Sequence, residues 1–166
     1  TEGDSRVHFD PDRSNVCPEP PYALGGEGVG VVEACGDGFL ARRLRGRRVA
    51  VASGPPNGTW QQYTVVDAKR AVAMPDSIPD EQAAMFFVNP ITAYVMVREV
   101  LRVRRGAWVL VTAAGSALGK SVVRLGCRDG FRTICVVRSG ANSAELAALG
   151  ADAVGSHRHQ CLAGMV

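Results

Sequence analysis

The sequence predicts an α/β chain: a β-rich first region, followed by a β-α-β-α-β series that makes the first half of a doubly wound parallel sheet. Three observations carry this reading. Short valine-rich runs punctuated by glycine and proline fill the chain up to about Pro75. Beyond it, apolar runs at 107–111, 133–137 and 151–154 alternate with helical patterns closed by Gly130 and Gly150. Between the first of those runs and its helix stands a turn of small residues, 112–119.

The elements follow in order. Residues 1–21 are polar and carry Pro11, Pro18, Pro20 and Pro21, which block a regular helix, so loop or extended chain is expected. Val29, Val31 and Val32, with Gly36 and Gly38 beyond, read as a strand running into a turn. Residues 48–52 and 62–66 read as further strands, separated by the loop 53–58. Ser77 with Asp80 three residues on, and Pro79 between them, mark a helix start leading into 82–87. Pro90 is expected to interrupt, with helix resuming over 91–101, so that Asn89 sits at a break with its side chain free to bond a ligand. Strand 107–111, the small-residue turn and a helix over 120–129 come next. Strand 133–137, a helix capped by Asn142 or Ser143, and a third strand at 151–154 complete the series, and no internal repeat is present.

Composition narrows the classes of function. A chain of 166 residues with 46% hydrophobic content can bury one core or two small ones and is neither disordered nor fibrous. Its apolar runs stop well short of the roughly 20 residues a membrane helix needs, so no membrane span is expected. Residues 1–4 show neither the apolar stretch of a secretory signal nor the arginine-rich character of a mitochondrial presequence, and no targeting peptide is expected in this chain. Cys17, Cys35, Cys127, Cys135 and Cys161 are odd in number and lack a CxxC pair, which argues against a disulfide framework or structural zinc lobe and for a reducing compartment. Of 19 basic residues 17 are arginine, and Arg42, Arg43, Arg45, Arg47 and Arg48 crowd together with no acid between Asp37 and Asp67. Such a cluster suits RNA, an acidic partner or anionic lipid, although the plainer reading is a solvated loop.

The chemistry sits in the second region. In Ala113-Ala114-Gly115-Ser116-Ala117-Leu118-Gly119, small side chains let the backbone approach a pyrophosphate while the following helix offers free amides. Gly115, Ser116, Ala117, Leu118 and Gly119 are therefore candidate cofactor-binding residues. At the end of the second parallel strand, folds that bind NAD place an acid against the ribose 2′-hydroxyl, but this chain has Arg138, followed by Ser139 and Gly140. A guanidinium there suits a 2′-phosphate, so NADPH is preferred over NADH.

Four blocks carry a family resemblance: Gly25-Gly26-Glu27-Gly28-Val29-Gly30-Val31-Val32-Glu33-Ala34, Gly58-Thr59-Trp60-Gln61-Gln62-Tyr63, Val88-Asn89-Pro90-Ile91-Thr92-Ala93-Tyr94 and Phe131-Arg132-Thr133-Ile134-Cys135-Val136-Val137-Arg138. In their order and spacing the chain resembles the zinc-free medium-chain dehydrogenase/reductases, in particular the mitochondrial trans-2-enoyl thioester (enoyl-CoA/ACP) reductases and quinone-oxidoreductase-like proteins, from about Cys17 to Val154. The resemblance implies a partial GroES-like substrate domain over 1–76, connecting helices over 77–106, and a partial Rossmann NADPH-binding domain over 107–166, incomplete at both ends relative to the family. It adds Asn89 to the cofactor site beside the turn and Arg138–Gly140. It also implies an acyl thioester or other small conjugated carbonyl as substrate, a role in fatty acid synthesis, a homo-oligomer or membership of a larger complex, and a mitochondrial or alternatively cytoplasmic location. Gly26 stands where zinc-dependent relatives have a histidine, so no metal is expected. His157 and His159 lie in a tail and are not read as ligands.

The chain departs from the family in two respects. The family's catalytic tyrosine position falls at Ser14, and an alcohol is a far poorer proton source than a phenol. The sequence also holds three of about six strands of the cofactor fold, leaving an unpaired edge. Two functions stay open at this point. One is an NADPH-dependent reductase of 2-enoyl thioesters or related conjugated carbonyls. The other is a catalytically degenerate homologue serving as a structural or binding subunit of a larger, mitochondrial or RNA-containing assembly.

Overall fold

A computed structural model describes residues 21–54 and 56–156. The chain divides into two compact units between Val88 and Asn89. Each holds one three-stranded sheet.

In the first unit, β1 (Glu27–Val31), β2 (Arg48–Ala52) and β3 (Ala71–Ala73) pair antiparallel in that order, with Gly28 opposite Val51 and Val49 opposite Ala73. Side chains alternate along a strand, and β2 uses both faces. Val49 and Val51 pack with Leu44 of helix α1 (Phe39–Leu44), while Ala50 packs with Met74 and with Ala83 of helix α2 (Asp80–Ala83).

The strand expected at 62–66 does not form. Both edges of β2 are already taken, Tyr63 and Val65 are exposed, and Thr64 Oγ1 donates to the Asn57 carbonyl at 3.0 Å. The third strand comes later, behind a 3-10 turn (Ala68–Arg70) whose Lys69 amide donates to Asp67 at 2.8 Å. Nor is the arginine cluster a solvated loop throughout. Arg42 and Arg43 lie in α1, where Arg42 pairs with Asp37 at 3.0 Å. Arg48 is drawn in, donating to Asp80 Oδ1 through Nε at 2.7 Å and to the carbonyls of Ile78 and Pro75 at 2.8 and 3.2 Å. One guanidinium thus ties β2 to the start of α2.

Helix α3 (Val88–Val95) starts at the last residue of the first unit, continues in the second, and widens into a π-helical turn (Met96–Val100). Pro90 does not interrupt it. Proline is tolerated in a helix's first turn because the N–H it lacks would have no partner there, and the break expected at Pro90 falls before Val88. Asn89 is therefore helical. Strands β4 (Trp108–Val111), β5 (Arg132–Val137) and β6 (Ala153–Ser156) run parallel in that order, joined by helices α4 (Ala117–Asp129) and α5 (Ser143–Ala148). Val111, Val123, Phe131, Cys135, Val137 and Leu146 lie in their common core. The last strand starts two residues later than expected, because Gly150, at φ 98°, and the bond from Ala151 N to the Leu146 carbonyl extend the exit from α5. An antiparallel sheet followed by a parallel β-α-β-α-β unit is the architecture expected from the sequence. Among the described residues no helix is long and apolar enough to cross a membrane.

Candidate functional site

Parallel pairing places the candidate cofactor residues on one sheet edge. Val111 lies opposite Cys135, so the turn after β4 and the chain leaving β5 at Arg138 emerge from the same C-terminal edge of neighbouring strands. Ala114 N donates to the Val136 carbonyl at 3.2 Å and stitches the turn to β5, while the Ala114 side chain is fully buried. Ser116 caps α4, its Oγ accepting from Gly119 N at 3.1 Å. The amides of Ala117 and Leu118 have no partner among the described residues, and they sit at the positive end of a 13-residue helix.

Two glycines make this turn tight. A methyl group added at Gly119 would lie 2.6 Å from the Ala114 Cα and carbonyl oxygen, so only a bare Cα lets the first turn of α4 approach the chain leaving β4. A methyl group at Gly115 would overlap the side-chain amide of Asn142. Asn142, a candidate cap for α5, makes no such bond; its side chain lies against Gly115 instead. Lys120 pairs with Glu145 at 2.7 Å and holds α4 to α5. Sequence reasoning gave neither Asn142 nor Lys120 a place at the phosphate turn, and no spacing signal marks them.

Arg138 is exposed, with no acidic partner among the described residues, and its carbonyl accepts from Ser156 Oγ at 3.3 Å. Ser139 is extended and Gly140 opens a 3-10 turn (Gly140–Asn142) into α5. The sheet edge thus brings together Gly115, Ser116, Ala117, Leu118 and Gly119 with Arg138, Ser139 and Gly140. At the far end of α4, Asp129 accepts from Arg98 at 2.9 Å and Arg128 at 2.8 Å.

Asn89 is the second residue of α3. The two amides before it, those of Phe87 and Val88, donate to a single oxygen, Glu27 Oε2, at 3.1 and 2.9 Å. Glu27 is buried at 8% exposure, and its carbonyl accepts from Thr59 Oγ1 at 2.7 Å. Three of the four sequence blocks therefore converge on one glutamate, a residue whose role the sequence did not disclose. Ser14, His157 and His159 lie outside the described residues. Among the described residues no three metal-ligating side chains cluster.

No protein-family model matches the chain. It is 33% identical over 123 residues to the mitochondrial enoyl-[acyl-carrier-protein] reductase of Bos taurus, covering 74% of this chain and 32% of that protein. To prostaglandin reductase-3 of Mus musculus it is 33% identical over 148 residues, covering 89% of this chain and 38% of that one. Its fold matches a quinone oxidoreductase from Thermus thermophilus, a protein also crystallised in complex with NADPH, with a TM-score of 0.73 and 29% identity over 88% of this chain and 44% of that one. The chain spans less than half the length of each.

Proposed function

Because the chain belongs to the zinc-free medium-chain dehydrogenase/reductases, we propose that it holds the phosphate-binding part of an NADPH-dependent reductase of 2-enoyl thioesters or related conjugated carbonyls. One observation carries this reading: the free amides at the N-terminus of α4 share a sheet edge with an arginine that has no acidic partner among the described residues. The residues present fit the cofactor. Ala117 and Leu118 offer amides to a pyrophosphate, Ser116 and Gly119 shape the turn, and Gly115 keeps it open. Arg138, with Ser139 and Gly140, meets the ribose 2′-phosphate. Asn89 is left for the nicotinamide half. NADPH, when bound, supplies a hydride to the electron-poor carbon of the conjugated system.

The substrate class rests on relatives whose names span an enoyl thioester, a prostaglandin and a quinone. The name of the Bos taurus relative supports a mitochondrial location. A non-catalytic assembly subunit gains nothing from the arginine cluster, since Arg42 and Arg48 are both held in intramolecular pairs.

Titration of the intact protein with NADPH and NADH tests the cofactor assignment. A charge-assisted contact to phosphate contributes about 1.5–3 kcal/mol, so Arg138→Ala is expected to weaken NADPH by about 10- to 100-fold and leave NADH unchanged. Equal affinities in the parent, or an unaltered preference in the variant, would overturn it. NADPH oxidation with a short 2-enoyl thioester and with a quinone separates the substrate classes.

A further inference from the structure

The sequence puts an unusual demand on Asn89. It precedes proline, and the proline ring disfavours the helical region for the residue before it, yet Asn89 lies inside helix α3. Something must hold that turn. Pro90 fixes its own φ on one side of Asn89. On the other side, the amides of Phe87 and Val88 both donate to Glu27 Oε2. These are orphan donors at a helix start, and a carboxylate there makes charge-assisted bonds and faces the positive end of the helix dipole.

Glu27 is itself fixed. Its backbone is paired in β1 opposite Ala52, its carbonyl accepts the Thr59 hydroxyl, and its side chain is buried. A buried carboxylate is tolerated when hydrogen-bonded, and here the chain's own amides supply the donors. Asn89 is therefore bracketed by a ring on one side and a rigidly mounted anion on the other.

We propose that Glu27 is a positioning residue for the cofactor: by clamping the Phe87 and Val88 amides it sets the first turn of α3 so that Asn89 presents its amide to the nicotinamide half of NADPH. This rests on the assignment of Asn89 to the cofactor site. Glu27 touches no cofactor and acts through Asn89 alone.

The test compares NADPH with 2′,5′-ADP, which reaches the Gly115–Gly119 turn and Arg138 but has no nicotinamide, in the intact protein and in Glu27→Ala, Glu27→Gln, Asn89→Ala and the Glu27→Ala/Asn89→Ala double variant. Glu27→Ala is expected to weaken NADPH by about tenfold and leave 2′,5′-ADP within about twofold. In the Asn89→Ala background the same change is expected to cost nothing further. Glu27→Gln keeps one carbonyl oxygen in reach of both amides and is expected to recover most of the affinity. Should Glu27→Ala lose its fold, Glu27→Asp, which withdraws the oxygen by one methylene, carries the same comparison. An equal loss for both ligands, full additivity with Asn89→Ala, or no recovery with glutamine would overturn the proposal. Failure of the parent to bind NADPH, or an Asn89→Ala variant that binds it normally, would instead overturn the assignment of Asn89.

Discussion

Replacing Gly119 with alanine probes the phosphate turn with the smallest side chain available. The added methyl group would stand 2.6 Å from two backbone atoms of Ala114, where ordinary contact begins near 3.4 Å. Ala114 is fully buried and hydrogen-bonded to β5, so it cannot swing aside, and the first turn of α4 must lift by about 0.8 Å. Overpacking of this kind costs about 1–3 kcal/mol, and the better helix propensity of alanine returns up to about 1 kcal/mol. The net expectation is a loss of about 1–2 kcal/mol, or roughly 2–8 °C in Tm for a chain of this size. A lift of that size also stretches a hydrogen bond of about 2.9 Å beyond its useful range, so about 10- to 100-fold in NADPH affinity should go with it. Thermal unfolding and fluorescence titration read the two effects. Ser116→Ala is the control: it removes the cap at about 1 kcal/mol without displacing the backbone, and should lower stability with a smaller effect on binding. A Gly119→Ala variant that is more stable than the parent and binds NADPH equally well would refute the reasoning.

Two further expectations concern groups away from the turn. The Asp129 carboxyl is held below the ordinary carboxylate range, chiefly by the hydrogen bond from Arg128, with burial pulling the other way and Arg98 adding a second donor. A group whose folded pKa is depressed contributes stability above its unfolded value, near 4, and loses it as pH falls through the folded one; Tm should therefore drop below about pH 4, and Asp129→Asn should begin lower at pH 7 with a flatter acid limb. Parallel curves for the two proteins would count against this. Burial pushes the Cys135 thiol up, so it should stay protonated and resist thiol reagents under native conditions while exposed Cys127 reacts; peptide mapping that finds Cys135 labelled first would reverse the assignment.

The parallel half of the fold was legible because its signals are local. The glycine at φ 78° beyond α4 announces that helix's C-terminal boundary, whereas its start at Ala117 comes three residues before the expected 120. The parallel strands read as continuous apolar runs, although Trp108 and Leu110 of β4 are exposed. The antiparallel half was harder for a physical reason. Residues 62–66 have the composition of a strand, but a strand exists only where an edge is vacant, and β2 had given both edges to β1 and β3. Which partner arrives first is a property of the whole sheet and leaves no mark on five residues. Arg48 shows the same limit with charge: it sits in a run of five arginines, and nothing in that run shows that this one finds an aspartate 32 positions away.

Glu27 marks the deepest gap between the two levels. Read along the chain it is an acid between glycines, and the glycines draw attention first. Its meaning depends on two amides 60 and 61 residues downstream that a helix start leaves without partners. The pattern at that start could have raised the question, since no serine, threonine, aspartate or asparagine stands at residue 86 or 87 to cap α3 from within. The first amides of a helix lack partners within it, and when the local sequence supplies no cap a distant side chain can take that place. The missing cap was therefore readable from sequence, whereas the residue that replaces it was not. The same reasoning explains why the sequence places Asn89 at a break: without Glu27 in view, a proline one residue later argues for interruption, whereas the helix begins where that carboxylate accepts from the amides of Phe87 and Val88.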